Sequence, residues 1–254
     1  MVQVTPTHRR DLLRAGAAFT AGGALTTGCG TTGTATAAPP ATTPTSPSPS
    51  ASPKRLPFQV THGPRATASV ALTFHGQGDP ALATRLLATA EQHGAHLTVL
   101  AVGSWLDAYP AMARRILDGG HDLGNHTQRH ISVNAMAEAD ARKEITDCAD
   151  RLRRLTGSIG SWFRPSRAPT ASPLVARLAA EAGYPHVLSY DVDSLDYTRP
   201  GAPAITRKVL AEVTGGSVVS MHFGYPDTVA ALPAVLQELH RRGLRAVTTT
   251  ELLS

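Results

Sequence analysis

The chain has 254 residues, a formal charge of +5 and two cysteines, Cys29 and Cys148. Two of the charges come from Arg9, Arg10 and Arg14 set against Asp11, and two more from Lys54 and Arg55, which leaves +1 for everything after residue 55. A globular part so close to neutral has no electrostatic footprint for a phosphate backbone, which excludes nucleic acid as a partner.

Residues 1–28 read as an export signal. The pair Arg9-Arg10 precedes a mildly apolar stretch, Ala15–Leu25, that is too short and Gly-rich to span a membrane, which takes about 20 apolar residues. The arrangement resembles a twin-arginine leader. Thr26-Thr27-Gly28-Cys29 resembles a lipobox with Thr26 where leucine is usual, so Cys29 is the expected lipidation site. The protein is then expected to be exported and held through a lipid on the outer face of the cytoplasmic membrane, with secretion as the alternative. Residues 29–57 are rich in Thr, Ala, Pro and Ser and cannot bury enough apolar surface to order themselves. They are expected to form a disordered, extended spacer.

From residue 58 to 254 the pattern is that of one globular domain. A strand is predicted over Ser69–His75, a helix over Pro80–His93, a strand over Ala95–Val102 and a helix over Ala108–Asp118. His121–Asn125 is again strand-like, followed by a helix over Ala135–Leu155, in which Cys148 is expected to be a small buried residue. A strand at Ile159–Arg164, a helix at Pro173–Ala182, a strand at His186–Asp191 and a helix at Ala202–Val213 come next. The chain closes with a strand at Gly216–His222, a helix at Thr228–Arg242 and a strand at Leu244–Thr249. Strands alternating with helices of this length argue for parallel pairing with right-handed crossovers. The predicted fold is α/β: a compact, distorted (β/α) barrel of seven to eight parallel strands, whose site would be built at the strands' carboxyl ends. His75, His126, Arg164, Asp193, Asp196 and His222 all fall at or just after such ends.

His126 and His130 carry the strongest local signal. Two histidines four apart can chelate one divalent cation from one side of a helical turn. The surrounding run Gly120-His121-Asp122-Leu123-Gly124-Asn125-His126-Thr127, with His130, resembles the second motif of the polysaccharide deacetylases of the NodB-homology type, carbohydrate esterase family 4. Ala71-Leu72-Thr73-Phe74-His75-Gly76 aligns with that family's first motif, usually Thr-Phe-Asp-Asp-Gly. Phe163-Arg164-Pro165 resembles the third motif. Asp193-Ser194-Leu195-Asp196-Tyr197 resembles the fourth, with Tyr197 in place of tryptophan. Ser220-Met221-His222 resembles the fifth, with Ser220 where leucine is usual.

The resemblance implies a metal-dependent hydrolase that removes N-acetyl groups from an amino-sugar polymer of the cell envelope, peptidoglycan or a chitin-like oligosaccharide, or cleaves a related non-peptide C–N bond by attack of metal-bound water. It implies one divalent ion, zinc first with nickel or cobalt as alternatives, held by His126 and His130, in a protein expected to be monomeric. By the same carry-over His222 would be the general acid, Asp196 its orienting carboxylate, Arg164 a support for the base, and Tyr197 a platform for a sugar ring. The first motif departs from the family: its two aspartates are replaced by His75 and Gly76, and glycine has no ligand atom. Two rescues stand side by side. Either His75 completes a three-histidine metal site, or Asp79 supplies the third ligand and His75 acts as base. Asp79-Pro80 also reads as the opening of a helix. The alternative function is a catalytically degenerate glycan-binding lipoprotein on the same fold.

Overall fold

A computed structural model describes residues 56–254; the export signal, Cys29 and nearly all of the linker lie outside the described residues. A two-residue strand that the sequence pattern did not announce, β1 (Gln59–Val60), precedes the central strand β2 (Ser69–Gly76), which is buried at every position. Such a continuous run suits a parallel strand covered on both faces. Alternation sorts its side chains. Val70, Leu72 and Phe74 join the large core under the helices, while Ala71 belongs to a smaller cluster with Leu100, Trp162 and Val218. Period two therefore puts Thr73 and His75 on the same face as Ala71.

The crossover α1 (Pro80–Gln92) buries Leu82, Ala83, Leu86, Leu87 and Ala90 on one stripe. After β3 (Thr98–Ala101) comes a short helix that the sequence pattern did not announce, α2 (Gly103–Ala108), and the helix predicted over 108–118 begins three residues late, as α3 (Ala111–Asp118). Tyr109 separates them at φ −132°, ψ 64°, because the following Pro110 disfavours the helical region for the residue before it. Strand β4 (Asp122–Asn125) leads through an irregular loop to α4 (Glu138–Thr156), and α5 (Pro173–Glu181) packs on α4.

The strand predicted at 159–164 contracts to one bridging residue, Phe163, which pairs with Asn125 on one side and Val187 on the other. Gly124 permits this: a Cβ there would lie 2.5 Å from the Trp162 carbonyl oxygen. The strand predicted at 186–191 is found as β5 (Val187–Leu188) and, beyond it, β6 (Val192–Asp193). Helix α6 (Ala202–Glu212), strand β7 (Val218–His222) and helix α7 (Pro226–Arg241) follow. The last predicted strand ends early, as β8 (Arg245–Val247). Thr248 then caps a short helix, α8 (Thr249–Leu252), by accepting the Glu251 N–H.

Among the described residues every ladder between these strands is parallel, and a single antiparallel bridge joins His62 to Ser217. The order is β4-β3-β2-β7-β6, with β8 paired to the start of β2 and β5 paired to β1. Phe163 links β4 to β5, so the strands curl into a distorted, barrel-like arrangement, although the ladders do not close into a continuous ring. The register sets His75 opposite His222 and Thr73 opposite Ser220. Residues on matching faces of these two strands thus meet at their carboxyl ends.

Candidate active site

His75 ends the interior face of β2, and His126 is the first residue after β4. Their imidazoles lie edge to face, with His75 Nδ1 2.7 Å from His126 Nε2. His130 completes the group: one ring nitrogen from each of the three histidines lies within 4.8 Å of the other two. The segment 126–130 is not the helical turn expected from its spacing. Thr127 and His130 sit at φ 67° and 56°, a left-handed conformation uncommon outside glycine. Neighbours hold it there. Asn125 Oδ1 accepts the Thr127 N–H at 2.8 Å, Thr127 Oγ1 donates to Ser166 at 2.9 Å, and Glu144 accepts the Arg129 N–H at 2.8 Å.

His126 donates its Nδ1–H to the Arg164 carbonyl oxygen at 3.0 Å, which leaves Nε2 bare and aimed at His75. A backbone carbonyl on the far nitrogen is a usual support for a metal-binding imidazole. Burial holds the His75 and His126 imidazoles well below their ordinary titration range. For His75 the nearby His126, His222 and Arg164 add to it, and for His126 the neighbouring His130 does. Burial, then Arg167 and His222, bring His130 to about 4. All three are neutral at pH 7, as ligands must be.

Beside this cluster, the His222 ring stacks on His75 with centroids 4.1 Å apart. Its Nδ1–H donates to Asp196 Oδ1 at 2.7 Å, while Asp196 Oδ2 accepts the His222 backbone N–H at 2.8 Å and the Thr228 hydroxyl at 2.7 Å. Asp196 is fully buried. Arg164 is fully buried as well, yet no carboxylate pairs with it among the described residues. Its guanidinium donates to the carbonyls of Leu188 and Ser189 and to Thr73 Oγ1 at 2.9–3.0 Å, and lies over the Tyr190 ring. Burial draws its pKa down to about 10.

His75, His130 and His222 line a cavity of about 380 Å³ whose walls also include Arg167, Tyr190, Asp193, Tyr197 and Tyr225, with His126 buried behind them. Tyr197 is 46% exposed and meets His222 edge-on at 5.4 Å. His75, His126, His130, Arg164, Asp196, His222 and Tyr197 are therefore brought together. Asp79 is not: its Oδ1 caps α1 by accepting the Ala81 N–H at 2.8 Å. The loop before it is fixed, because Gly78 packs so tightly on Gly224 that a Cβ would come within 2.7 Å of its Cα, and the Gly78 carbonyl accepts the Trp105 indole N–H. Of the two candidates for a third ligand, His75 is at the cluster and Asp79 serves the helix.

The sequence reading assigned no role to Thr73, Thr228 or Tyr225. Thr73 and Ser220 were findable in principle, each two residues before a site histidine on the same strand. Thr228 was not, since only the fold brings α7 to Asp196. Cys148 is buried in α4, its thiol pushed up to about 12 by that burial, an inert core residue as expected.

The family model for polysaccharide deacetylase matches residues 62–187. Over 188 residues the chain is 31% identical to a peptidoglycan-N-acetylglucosamine deacetylase of Bacillus cereus, covering 72% of this chain and 87% of that one. Over 190 residues it is 32% identical to a chitooligosaccharide deacetylase of Sinorhizobium fredii, covering 69% and 87%. A solved peptidoglycan N-acetylglucosamine deacetylase superposes with a TM-score of 0.72 at 26% identity, covering 77% of this chain and 92% of that one. A CE4 family pseudoenzyme from Bacillus anthracis shares the fold at a TM-score of 0.73 and 22% identity, covering 80% and 70%.

Proposed function

Because the chain belongs to the polysaccharide deacetylase family, we propose that it removes N-acetyl groups from an amino-sugar polymer of the cell envelope, using one divalent cation held by His75, His126 and His130. The observation that carries this reading is a cluster of three neutral imidazoles, two of which, His75 and His130, line one cavity together with His222, the partner of Asp196. Three histidine nitrogens with room for a further ligand fit zinc, and imidazole also suits nickel and cobalt. When bound, the cation supplies Lewis-acid polarisation of the amide carbonyl and activation of water.

The chain's own residues handle the proton. With Nδ1–H committed to Asp196, His222 presents a bare Nε2 to the cavity, suited to accept a proton from the attacking water and pass it to the departing amine. His75 leaves the base role when it serves as a ligand, so His222 acts in both directions. Asp196 stabilises the imidazolium formed in between. Arg164 positions His126 through its carbonyl oxygen, and Tyr197 offers a face for a sugar ring at the rim. Export through the twin-arginine leader and anchoring at Cys29 would place a monomeric chain beside its glycan.

The experiment is acetate release from N-acetylated chitooligosaccharides and peptidoglycan fragments by zinc-loaded protein and by His222→Ala. Release by the wild type, reduced at least about 100-fold in the variant, is the expected result, as general acid–base catalysis contributes on that order. One observation favours a second reading, a non-catalytic glycan binder: among the described residues no carboxylate pairs with the buried Arg164. Saturable glycan binding without acetate release by either protein would establish it and reject the enzyme.

A further inference from the structure

Ser220 lies in β7, 1% exposed, and the nearest partner of its hydroxyl is His75 Nε2 at 3.0 Å, its one side-chain hydrogen bond among the described residues. The two positions are diagonal neighbours on matching faces of paired strands, since Thr73 is opposite Ser220 and His75 opposite His222. They are also two of the places where the sequence departs from the motifs it otherwise matches. His75 and Ser220 touch, so the two departures form one local arrangement.

The hydrogen-bond inventory around His75 fixes what the hydroxyl must do. His126 Nε2 is bare, because Nδ1–H is given to Arg164. Two lone pairs cannot face each other at 2.7 Å, so the space between His75 Nδ1 and His126 Nε2 holds either a proton or a cation. With the proton on His75 Nδ1, its Nε2 is an acceptor and Ser220 must donate. With a cation bound at Nδ1, the proton sits on Nε2 and Ser220 must accept. A hydroxyl rotates to do either, whereas a carbonyl could serve only the second state and an amide N–H only the first. Arg164 Nη1 is the other polar atom near Nε2, but at 3.5 Å it is at the limit of hydrogen bonding and can only donate.

We propose that Ser220 is a positioning residue that lets His75 exchange tautomers, turning its Nδ1 into the third metal ligand while its Nε2–H is held by the serine hydroxyl. The inference rests on the three-histidine reading above. Its test is long-range proton–nitrogen NMR of the histidine side chains in the full-length chain, before and after zinc, together with zinc affinity by chelator competition. The metal-free wild type should show His75 protonated at Nδ1, and the zinc form should show it protonated at Nε2. Ser220→Ala should weaken zinc binding about 10- to 100-fold, the usual effect of losing the outer partner of a ligating histidine. Ser220→Thr should restore most of it.

Far-UV circular dichroism of each variant checks the fold, and the threonine variant carries the comparison if alanine unfolds the strand. Zinc binding by the wild type that is unchanged in Ser220→Ala, or a zinc form with His75 still protonated at Nδ1, overturns the role of Ser220 and leaves the metal site standing. No zinc bound by the wild type overturns both.

Discussion

Replacing Asp196 by asparagine probes the acid side of the site with the smallest change of shape. The carboxylate accepts three hydrogen bonds of 2.7–2.8 Å with no exposure to water, two from His222 and one from Thr228. An amide has one acceptor oxygen. If that oxygen keeps the backbone N–H and the Thr228 hydroxyl, the NH₂ faces His222 Nδ1, which must give up its proton. The ring then carries the proton on Nε2, so the cavity loses its base. If the amide turns over, NH₂ faces two donors in a buried site instead.

Either outcome disrupts one charge-assisted bond, worth about 1.5–3 kcal/mol. The folded state should therefore lose roughly that much in urea denaturation. Turnover should fall about 10³- to 10⁴-fold, as it does when an imidazole is held in the wrong tautomer, equivalent to roughly 4–5.5 kcal/mol at the transition state. Acetate release under saturating zinc measures the second effect. A variant that stays folded and keeps activity within about tenfold of the wild type would refute a proton route through His222 Nε2.

Stability should depend on pH through the same cluster. His75 and His126 titrate well below 6.5 in the folded chain and His130 near 4, whereas the unfolded chain takes up protons around 6.5. Between those values the unfolded state binds more protons, so the contribution is complete above pH 6.5 and is lost as pH falls toward 4, by at most about 1.4 kcal/mol per unit for each histidine. Urea midpoints at pH 7.5, 6 and 5 should decline in that order; a flat profile contradicts the burial of neutral imidazoles. Gly124→Ala should destabilise by more than about 2 kcal/mol, because its Cβ would meet the Trp162 carbonyl oxygen at 2.5 Å and Leu100 at 2.7 Å. A thermal midpoint within a degree or two of the wild type would show that the Phe163 bridge to β4 yields at little cost.

The parts of the site that were legible in the sequence are those fixed by local rules. Alternation along Ser69–Gly76 puts Thr73 and His75 on one face, and Asp79-Pro80 announces a helix start that the structure contains. Other features depend on pairings between distant segments. Nothing near His75 in sequence shows that β7 lies beside it, 145 residues from Ser220, or that α7 delivers Thr228 to Asp196.

The spacing of His126 and His130 suggested a helical turn. The segment adopts left-handed residues at Thr127 and His130 instead, held by side chains of Asn125, Ser166 and Glu144, of which the last two come from distant segments. The strand predicted at 159–164 reduces to one bridge at Phe163, whose approach to β4 depends on Gly124, a contact between distant segments. The break at Tyr109 was within reach, since Pro110 marks it.

Zinc titration calorimetry on the chelator-treated wild type, His75→Ala and Asp79→Ala tests the central claim most directly. One zinc per wild-type chain is predicted, bound at least about tenfold more weakly when His75 is removed. Asp79→Ala should bind as the wild type does and lose only about 1 kcal/mol of stability with its helix cap. Zinc binding lost with Asp79 but intact without His75 would contradict the three-histidine site.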